Sequence, residues 1–394
     1  MKLLSVVGAR PQFVKIAPIA QAIARGVIGT NVDHRIVHTG QHYDAKLSDV
    51  FFSELDLPKA TVNLGVGSGS HGSQTGAMLA QLERTLRDLK PDIVLVYGDT
   101  NSTLAATLAA SKLHIPLAHV EAGLRSFNRH MPEEINRVVA DHVCDLLLAP
   151  TPTAMSHLKS EGLGERAVFT GDVMYDAILY FRGLAKQKSA IVSKLALSSH
   201  EYGVATLHRA ENTDDAHQLR RLLDTLNDIA GRKLPLVFPI HPRTMRLVKD
   251  NLSDWQPHQR LRLIEPLGYL DMIALTDNAA VTLTDSGGLQ KEAFFLGCPC
   301  ITLREETEWE ETVVQGANRL TGSDPTRIHD AFTEVRRQFP NGKSDFFAAI
   351  RIAFGDGTAA EQICRALIKI SLKKQKSGVR ASATSASLSQ IAIE

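Results

Sequence analysis

Short apolar runs alternate along this chain with longer stretches in which apolar residues recur every three or four positions. The short runs predict strands: LLSVV, HRIVH, DIVLVY, PLAHV, LLLAP and AVFTG in the first half, then GVATL, PLVFPI, LRLIE, AAVTLT and PCITL. The longer stretches predict helices, as in VKIAPIAQAIARG, SQTGAMLAQLERTLRDL and AHQLRRLLDTLNDIAG. Alternation of this kind predicts an α/β fold in which helices cover both faces of parallel sheets.

The strand–helix series occurs twice, and a Lys- and Ser-rich helical stretch at residues 184–200 separates the two series. A chain of 394 residues is long enough for two domains of ordinary size. We therefore place the domain boundary near residues 171–200. The last stretch, SGVRASATSASLSQIAIE, is poor in core-forming residues, so we expect a weakly held extension without a chemical role.

Polar clusters follow six of the predicted strands, in both halves of the chain. They are GARPQ after LLSVV, GDTNST after DIVLVY, the segment beginning at Glu121 after PLAHV, HRAEN after GVATL, HPRT after PLVFPI and DSGG after AAVTLT. Open parallel sheets bind their ligands beyond the carboxyl ends of the strands. The repeated placement therefore predicts a cleft between two doubly wound domains.

The segment HVEAGLRSFNRHMPEEINR, residues 119–137, concentrates opposite charges between a predicted strand and a predicted helix. A solvated charged loop is one interpretation, and a site that moves protons beside an anionic substrate is the other. Glu133 and Arg137 lie four positions apart on one predicted helix, so they can form an ion pair. For that pair alone, a surface ion pair is the simpler interpretation. The other charged residues of the segment include Glu121, Glu134, Arg125 and Arg129.

A second group of residues predicts an anion site in the second half of the chain. Ser286, Gly287 and Gly288 open a predicted helix, where glycines permit close backbone approach and the first N–H groups favour an anion. Glu292, further along that helix, is placed to accept hydrogen bonds from ribose hydroxyls. An ordinary helix-capping turn is the alternative. The basic residues that a diphosphate needs follow other strands: His208, Arg209, His241, Arg243, Arg10 and Lys15.

The charge balance gives no support for a nucleic-acid or acidic-membrane partner, because Lys+Arg 44 and Asp+Glu 43 leave a net charge of +1. The N-terminal apolar run, Leu3–Val7, is too short for a signal peptide, and no run reaches the length of a membrane span. We expect a cytoplasmic protein with buried, reduced thiols. No metal site is predicted, because the cysteines and histidines lack zinc spacing. The cysteines are Cys144, Cys298, Cys300 and Cys364.

One stretch fits a nucleotide-binding pattern by letter alone. Residues 67–72, GSGSHG, match G-x-G-x-x-G, and Asp99 follows the next predicted strand as a ribose-binding acid would. The preceding run TVNLGV is short and polar, however, and it is not the first strand of the domain. Asp99 also lies further along the chain than the pattern expects. We therefore favour a mobile Gly–Ser loop over an NAD site.

Taken together, the motifs resemble those of the non-hydrolysing UDP-N-acetylglucosamine 2-epimerases, over about residues 6–368. The matching pieces are GARPQFVKIAP, HTGQHYD, YGDTNSTLAA, HVEAGLRS…PEEINR, GDVMYDA, HRAEN, TDSGGLQKEAFFLG and GDGTAAEQI. The resemblance implies two Rossmann-like doubly wound domains, arranged as in glycosyltransferase-B proteins with the active site in the cleft between them. It implies domains at 1–172 and 173–357, a helix at about 358–372 packing back on the first domain, a weakly ordered tail at 373–394, and a homodimer.

The resemblance also implies an isomerase that works without a cofactor. Members of the family eliminate UDP across C1–C2 of UDP-N-acetylglucosamine to give a 2-acetamidoglucal. UDP then adds back while a proton reaches the other face of C2, which gives UDP-N-acetylmannosamine, a precursor of cell-surface polysaccharide. Such chemistry needs acid and base groups near C2 and cations around the leaving UDP.

The matching motifs assign roles to particular residues. Proton handling or substrate orientation is assigned to the carboxylates of Asp99, Glu121 and Glu133. His208 matches the family histidine near the diphosphate. Which carboxylate removes the C2 proton stays open. Substrate or UDP binding is assigned to Arg10, Lys15, Arg137, Arg209, His241, Met272, Ser286, Gly287, Gly288 and Glu292.

Two departures from the family pattern bear on the substrate. The turn after Arg125 is short, and Trp309 replaces the arginine of a Thr-Glu-Arg run. Both features resemble a subgroup that acts on UDP-2,3-diacetamido-2,3-dideoxy-glucuronate in O-antigen synthesis. There Arg129 or His130 would meet the uronate carboxylate, and Trp309 would pack on an acetamido methyl. We keep UDP-N-acetylglucosamine as the first expectation.

Some family members are activated by their own substrate at a second site near the stretch that contains Gln41 and His42. The residues that follow differ here, so we predict no such activation. Three other functions stay open: a glycosyltransferase of the same fold, a non-enzymatic UDP-sugar sensor, and an NAD-dependent sugar oxidoreductase. Paired carboxylates in the first domain disfavour the first. A sensor would leave C2 protons unexchanged, and an oxidoreductase would carry a bound cofactor.

Overall fold

The computed structural model describes residues 1–41, 57–342 and 345–370. The chain divides into two compact units. Unit 1 comprises Met1–Asp176 together with Phe354–Glu394, and unit 2 comprises Ala177–Ala353. His42 and the tail at 373–394, on both of which the sequence analysis made predictions, lie outside the described residues.

Unit 1 is built on a seven-stranded parallel sheet with the strand order β3-β2-β1-β4-β5-β6-β7. Because the order reverses between β1 and β4, the turns that follow these two strands flank the point where open α/β sheets bind ligands. The strands are β1 (Lys2–Val7), β2 (Asp33–His38), β3 (Val62–Asn63), β4 (Ile93–Tyr97), β5 (Leu117–Val120), β6 (Leu146–Ala149) and β7 (Ala167–Phe169).

Helices connect the strands of unit 1. They are α1 (Arg10–Ala24), α2 (His71–Leu89), α3 (Asn101–Lys112), α4 (Pro132–Val143) and α5 (Pro152–Ser160), with a short 3₁₀ turn at Gly164–Arg166. Thr100 and Thr151 start α3 and α5 as N-caps, because each side chain accepts a hydrogen bond from the backbone N–H three residues on. The division between the units falls within α6 (Val173–Lys188).

Unit 2 repeats the plan with a six-stranded parallel sheet, in the order β10-β9-β8-β11-β12-β13. The strand order reverses between β8 and β11. The strands are β8 (Gly203–Thr206), β9 (Leu236–Pro239), β10 (Leu261–Ile264), β11 (Val281–Thr284), β12 (Cys300–Thr302) and β13 (Asn318–Leu320).

The helices of unit 2 follow in the same alternating manner. They are α7 (Ile191–Lys194), α8 (Ala210–Thr213), α9 (Ala216–Arg232), α10 (Pro242–Asn251), α11 (Tyr269–Asp277), α12 (Gly287–Phe295), α13 (Glu310–Val314) and α14 (Pro325–Gln338). Helix α15 (Phe347–Phe354) reaches the second division, and α16 covers residues 359–370 in unit 1. Within the described ranges, no helix is both long and apolar enough to cross a membrane.

The buried strands explain why the sequence pattern was informative. Every residue of β4 and of β11 is buried, as expected for strands with helices on both faces. All eleven predicted strands are confirmed, and so is the class of two Rossmann-like α/β units. The strands β3 and β13 escaped prediction because they are two and three residues long and carry polar side chains. The four cysteines are buried and free, as predicted.

Gly123 shows how closely the turn after β5 is held. Its φ is +85°, and a Cβ at this position would lie 2.5 Å from the backbone carbonyl oxygen of Ala154. We expect Gly123→Ala to lower the free energy of unfolding of unit 1 by about 3 kcal/mol, because left-handed strain adds to a clash with backbone that cannot yield.

Gly76→Ala is the matched control, since Gly76 lies on an exposed part of α2 and a Cβ there meets no described atom within 4 Å. This change should stabilise by about 0.8–1 kcal/mol. Urea denaturation followed by circular dichroism measures both effects. A Gly123→Ala protein that unfolds at the wild-type urea concentration would contradict the described turn.

Candidate active site

Gln12 joins the two turns that flank the switch point of unit 1. Its side-chain oxygen accepts a hydrogen bond from the Gly8 N–H at 2.7 Å, and its side-chain amide donates to the Tyr97 carbonyl at 2.8 Å. Gly8 follows β1 and Tyr97 ends β4. The turn that carries Arg10 is thereby fixed to the turn that carries Asp99.

A buried ion pair lies beside these turns. The Lys15 ammonium on α1 contacts the carboxylate of Glu121, the first residue after β5, and the two side chains are only 10% and 6% exposed. Glu121 has a φ of +71°, in the left-handed region that costs a non-glycine residue about 1–2 kcal/mol. Strain of this kind clusters at functional sites, where the surrounding structure holds it. A Cβ on the neighbouring Gly98 would lie 3.0 Å from Lys15 Nζ and 3.1 Å from Glu121 Oε2.

Arg137 on α4 connects two carboxylates. It donates hydrogen bonds to Asp99 Oδ2 at 2.5 Å and to Glu134 Oε2 at 3.0 Å. Sequence spacing favoured Glu133 as a partner of Arg137, and the structure pairs Arg137 with Glu134, whose carboxylate also accepts the Ser126 N–H at 2.9 Å. Asp99 keeps 31% of its side chain exposed, so it stays accessible to a ligand while Arg137 holds it.

Within the charged segment at residues 119–137, Arg125 is buried and ion-paired, which contradicts a solvated loop at this residue. This side chain is 2% exposed and donates to Asp141 at 2.7 Å and to Glu161 at 2.7 Å. Asp141 also accepts from the Gly123 N–H at 3.0 Å. Burial would raise the pKa of Asp141, but its hydrogen bonds with His119 and Arg125 and the charges of those groups hold its pKa below the ordinary value. The turn that carries Glu121 is therefore fixed by buried ionic contacts.

Asp285 organises the corresponding place in unit 2. Its buried carboxylate accepts hydrogen bonds from the N–H groups of His208 and Arg209, both at 3.0 Å, and it lies 3.0 Å from His208 Nδ1. Burial would raise the pKa of Asp285, but His208 and the backbone N–H groups hold its pKa below the ordinary value. The His208 side chain stays 42% exposed. With Nδ1 engaged, its Nε2 is the nitrogen left for a ligand.

Ser286 starts α12 as its N-cap, with its hydroxyl accepting the Leu289 N–H at 3.4 Å. A Cβ on Gly287 would lie 3.9 Å from Arg209 Nη2, 3.8 Å from Arg304 Nη1 and 3.6 Å from Glu308 Oε2. The absence of a side chain at Gly287 therefore leaves space between the helix N-terminus and the Arg209 guanidinium, while the Arg304 guanidinium is paired with Glu308. This arrangement can bind an anion.

The other predicted residues lie on helices or at helix N-termini of the two units. Arg10 is the first residue of α1, Glu133 is half-buried at the start of α4, and His241 is the N-cap of α10. Met272 packs partly against the core of unit 2, and Glu292 lies on α12. Unit 1 contains Arg10, Lys15, Asp99, Glu121, Glu133 and Arg137, and unit 2 contains His208, Arg209, His241, Met272, Ser286, Gly287, Gly288 and Glu292.

Trp309 is 5% exposed, and the Nζ atom of Lys291 lies 3.6 Å from the centre of its ring. This buried cation–π contact favours packing over substrate recognition for Trp309. The GSGSHG stretch follows β3, an edge strand of two residues, and α2 begins at His71 within the stretch. That position is not the first βα turn of the sheet, which weighs against an NAD site.

Sequence reasoning assigned no role to four residues that fix the turns described above: Gln12, Glu134 and Asp141 in unit 1, and Asp285 in unit 2. Each is a buried polar side chain that binds backbone groups of the turns described above. Gln12 and Asp285 were visible in the motifs GARPQ and DSGG, next to the residues that were predicted. Asp141 had no local signal, because its partners lie 16 and 22 positions away.

Comparison with known proteins adds to this geometry. The sequence model of the UDP-N-acetylglucosamine 2-epimerase family matches residues 28–368. The chain is 49% identical to the UDP-2,3-diacetamido-2,3-dideoxy-D-glucuronate 2-epimerase of Pseudomonas aeruginosa, covering 94% of this chain and 100% of that protein. It is 46% identical to a UDP-N-acetylglucosamine 2-epimerase homolog of Methanococcus maripaludis, covering 93% and 99%.

A solved structure also matches. The UDP-GlcNAc 2-epimerase of Methanocaldococcus jannaschii, in complex with UDP-GlcNAc and UDP, superposes with a TM-score of 0.85 at 41% identity, covering 94% of this chain and 100% of that one. Fold, site and comparisons define an enzyme of the isomerase class. The chain belongs to the UDP-N-acetylglucosamine 2-epimerase family, and the resemblance predicted from its motifs is confirmed.

The Lys15–Glu121 pair leads to a stability prediction. Glu121→Gln removes the carboxylate from a buried ammonium, which should cost about 3–5 kcal/mol of unfolding free energy. The double variant Lys15→Met/Glu121→Gln should be less destabilised than the sum of the two single variants, by about 1–3 kcal/mol. Glu83→Gln removes a surface partner of Arg87 instead and should cost under about 1 kcal/mol. Urea titrations that show strict additivity at Lys15 and Glu121 would contradict the described pair.

Proposed function

We propose that the protein interconverts UDP-N-acetylglucosamine and UDP-N-acetylmannosamine by inverting C2 of the sugar. The observation that carries the proposal is the buried Lys15–Glu121 pair, with Glu121 at a strained backbone position. A carboxylate can act as a base toward a C–H proton, and the contact with the Lys15 ammonium fixes the position of this carboxylate. Burying a charged pair at a strained backbone position has an energetic cost, and a role in proton transfer would account for that cost.

The proposed reaction balances without an external oxidant. A carboxylate of unit 1 takes the C2 proton, the C1–O bond breaks, and UDP leaves with the bonding electrons to give 2-acetamidoglucal. UDP then attacks C1 again while a carboxylic acid delivers a proton to the opposite face of C2. Asp99, Glu121 and Glu133 are the proposed acid and base groups, and Arg137 holds Asp99 in position. Two of them suffice for one reaction cycle.

Unit 2 supplies the proposed UDP side. The open N-terminus of α12 at Ser286 and Gly287 and the guanidinium of Arg209 offer donors to the leaving diphosphate. His208 is proposed to hydrogen-bond a phosphate oxygen through Nε2, because Asp285 engages its Nδ1. Glu292 on the same helix is proposed to bind the ribose hydroxyls.

A second candidate substrate is UDP-2,3-diacetamido-2,3-dideoxy-glucuronate. The relative from Pseudomonas aeruginosa that carries this name is 49% identical over 375 residues. Arg129 and His130 are both exposed in the turn before α4, so they are free to meet a C6 carboxylate. The burial of Trp309 under Lys291 gives this candidate no further support.

We also propose that the protein acts in the cytoplasm as a homodimer. Four buried free thiols are the usage typical of a reducing compartment. The dimer rests on the family resemblance, and light scattering after size-exclusion chromatography tests it.

The direct test of the function is incubation with UDP-N-acetylglucosamine in D2O, read by proton NMR. We expect UDP-N-acetylmannosamine to form and deuterium to appear at C2 of both sugars, with no nicotinamide or metal added. An absolute requirement for NAD would refute the elimination. Binding of UDP with no exchange at C2 would identify a sensor instead.

Glu121→Gln and Asp99→Asn should each lower kcat by roughly 10²-fold or more, the usual scale for a proton-transfer group. UDP affinity, measured by calorimetry, should stay near the wild-type value because the UDP-side residues lie in the other unit. Glu165→Gln, at an exposed position of unit 1, serves as the control and should leave both quantities unchanged. Wild-type turnover in both site variants would disprove the assignment.

The preferred substrate follows from kcat/KM for both UDP sugars with one enzyme preparation. We expect UDP-N-acetylglucosamine to be the better substrate. A preference for the diacetamido-uronate of more than about 10²-fold, roughly 2.7 kcal/mol of transition-state discrimination, would reverse the choice. In that case Arg129→Ala should selectively remove the preference, while Arg87→Ala, an exposed arginine elsewhere in unit 1, should not.

A further inference from the structure

We propose that His119 is a positioning residue for the proton-transfer site: by holding the carbonyl of Gly98, it fixes the place of the Lys15–Glu121 pair. The proposal deepens the proposed function and rests on it. His119 lies at the core of the sheet, in β5, and its side chain is fully buried. It touches no substrate in the reaction proposed above, so it acts through other groups.

Both ring nitrogens of His119 face acceptors. Nδ1 lies 2.7 Å from Asp141 Oδ1, and Nε2 lies 2.8 Å from the Gly98 carbonyl oxygen. A carbonyl oxygen accepts only, and the carboxylate of Asp141 accepts while it is ionised. The ring of His119 therefore bridges the Asp141 carboxylate and the Gly98 carbonyl, one through each nitrogen.

Gly98 transmits this constraint to the ion pair. Its N–H donates to the Val120 carbonyl at 3.0 Å, and its φ is +58°. A Cβ on Gly98 would stand 3.0 Å from Lys15 Nζ and 3.1 Å from Glu121 Oε2, so the backbone itself forms one wall of the pair's surroundings. Because His119 Nε2 fixes the other end of this residue, a shift of the Gly98 peptide would displace both charged groups.

Asp141 ties the same network to the turn that carries Glu121. Besides His119, it accepts hydrogen bonds from the Gly123 N–H at 3.0 Å and from Arg125 at 2.7 Å. The network therefore holds the backbone at two places: at Gly98, directly before Asp99, and at Gly123, two residues after Glu121. Misplacement of reacting groups by about 1 Å can cost about 10²-fold in rate.

Two conservative variants separate the two hydrogen bonds. In His119→Asn the side-chain amide takes the place of Nδ1, so it keeps the bond to Asp141 and loses the bond to Gly98. In His119→Gln the amide reaches the place of Nε2, so it keeps the bond to Gly98 and loses the bond to Asp141. If the Gly98 bond is what positions the pair, the two variants must differ in kcat although both remove the imidazole.

The experiment measures kcat, KM and the rate of deuterium entry at C2 for the full-length protein and both variants, together with UDP affinity by calorimetry. We expect His119→Asn to lose kcat and C2 exchange by on the order of 10²-fold, at unchanged UDP affinity. His119→Gln should retain much more of both rates. Thermal unfolding, recorded in parallel, separates a loss of folded protein from a loss of rate.

Equal rates in the two variants would overturn the proposal, as would wild-type kcat in His119→Asn. If His119→Asn does not fold, Gly98→Ala replaces it, because its Cβ displaces Lys15 and Glu121 directly; wild-type kcat in that variant would also overturn the proposal. Failure of the proposed function looks different, since the wild-type protein itself would then show no exchange at C2.

Discussion

The rest of unit 1 is arranged around one ion pair, the contact of Lys15 with Glu121. Removing two charges from water is costly unless their geometry is maintained, so a buried pair is seldom kept for stability alone. Here the cost is increased by the left-handed backbone of Glu121. The Gln12 bridge and the His119–Asp141–Arg125 network compensate for that cost by fixing the backbone around the pair.

The two units divide the proposed chemistry between them. The residues after β1, β4 and β5 bring carboxylates and their cationic partners to the switch point of the first sheet. Those after β8 and β11 bring a helix N-terminus, a histidine and an arginine to the switch point of the second. In each unit one buried aspartate, Asp141 or Asp285, binds backbone N–H groups of a site turn. Each unit thus positions its site by the same physical means.

Periodicity predicted the fold well because many buried parallel strands are nearly continuous apolar runs, as β4 shows. The location of residues two positions beyond a strand end, such as Asp99 and Ser286, could also be predicted, because topology alone sets it. The partners of Arg137 could not be predicted from spacing. Arg137 binds Glu134 and Asp99, and Glu134 is held near Arg137 because its carboxylate also accepts the Ser126 N–H. The role of His119 was invisible because its partners come from distant parts of the chain.

The central claim is that proton removal at C2 breaks the bond between C1 and UDP. Positional isotope exchange tests it most directly, using UDP-N-acetylglucosamine labelled with ¹⁸O in the oxygen that bridges C1 and the β-phosphorus. Elimination frees that oxygen to rotate, so the account predicts that the label scrambles into the non-bridging β-phosphate positions of recovered sugar nucleotide. Recovered material that has exchanged deuterium at C2 while all of its ¹⁸O remains in the bridge would contradict the account.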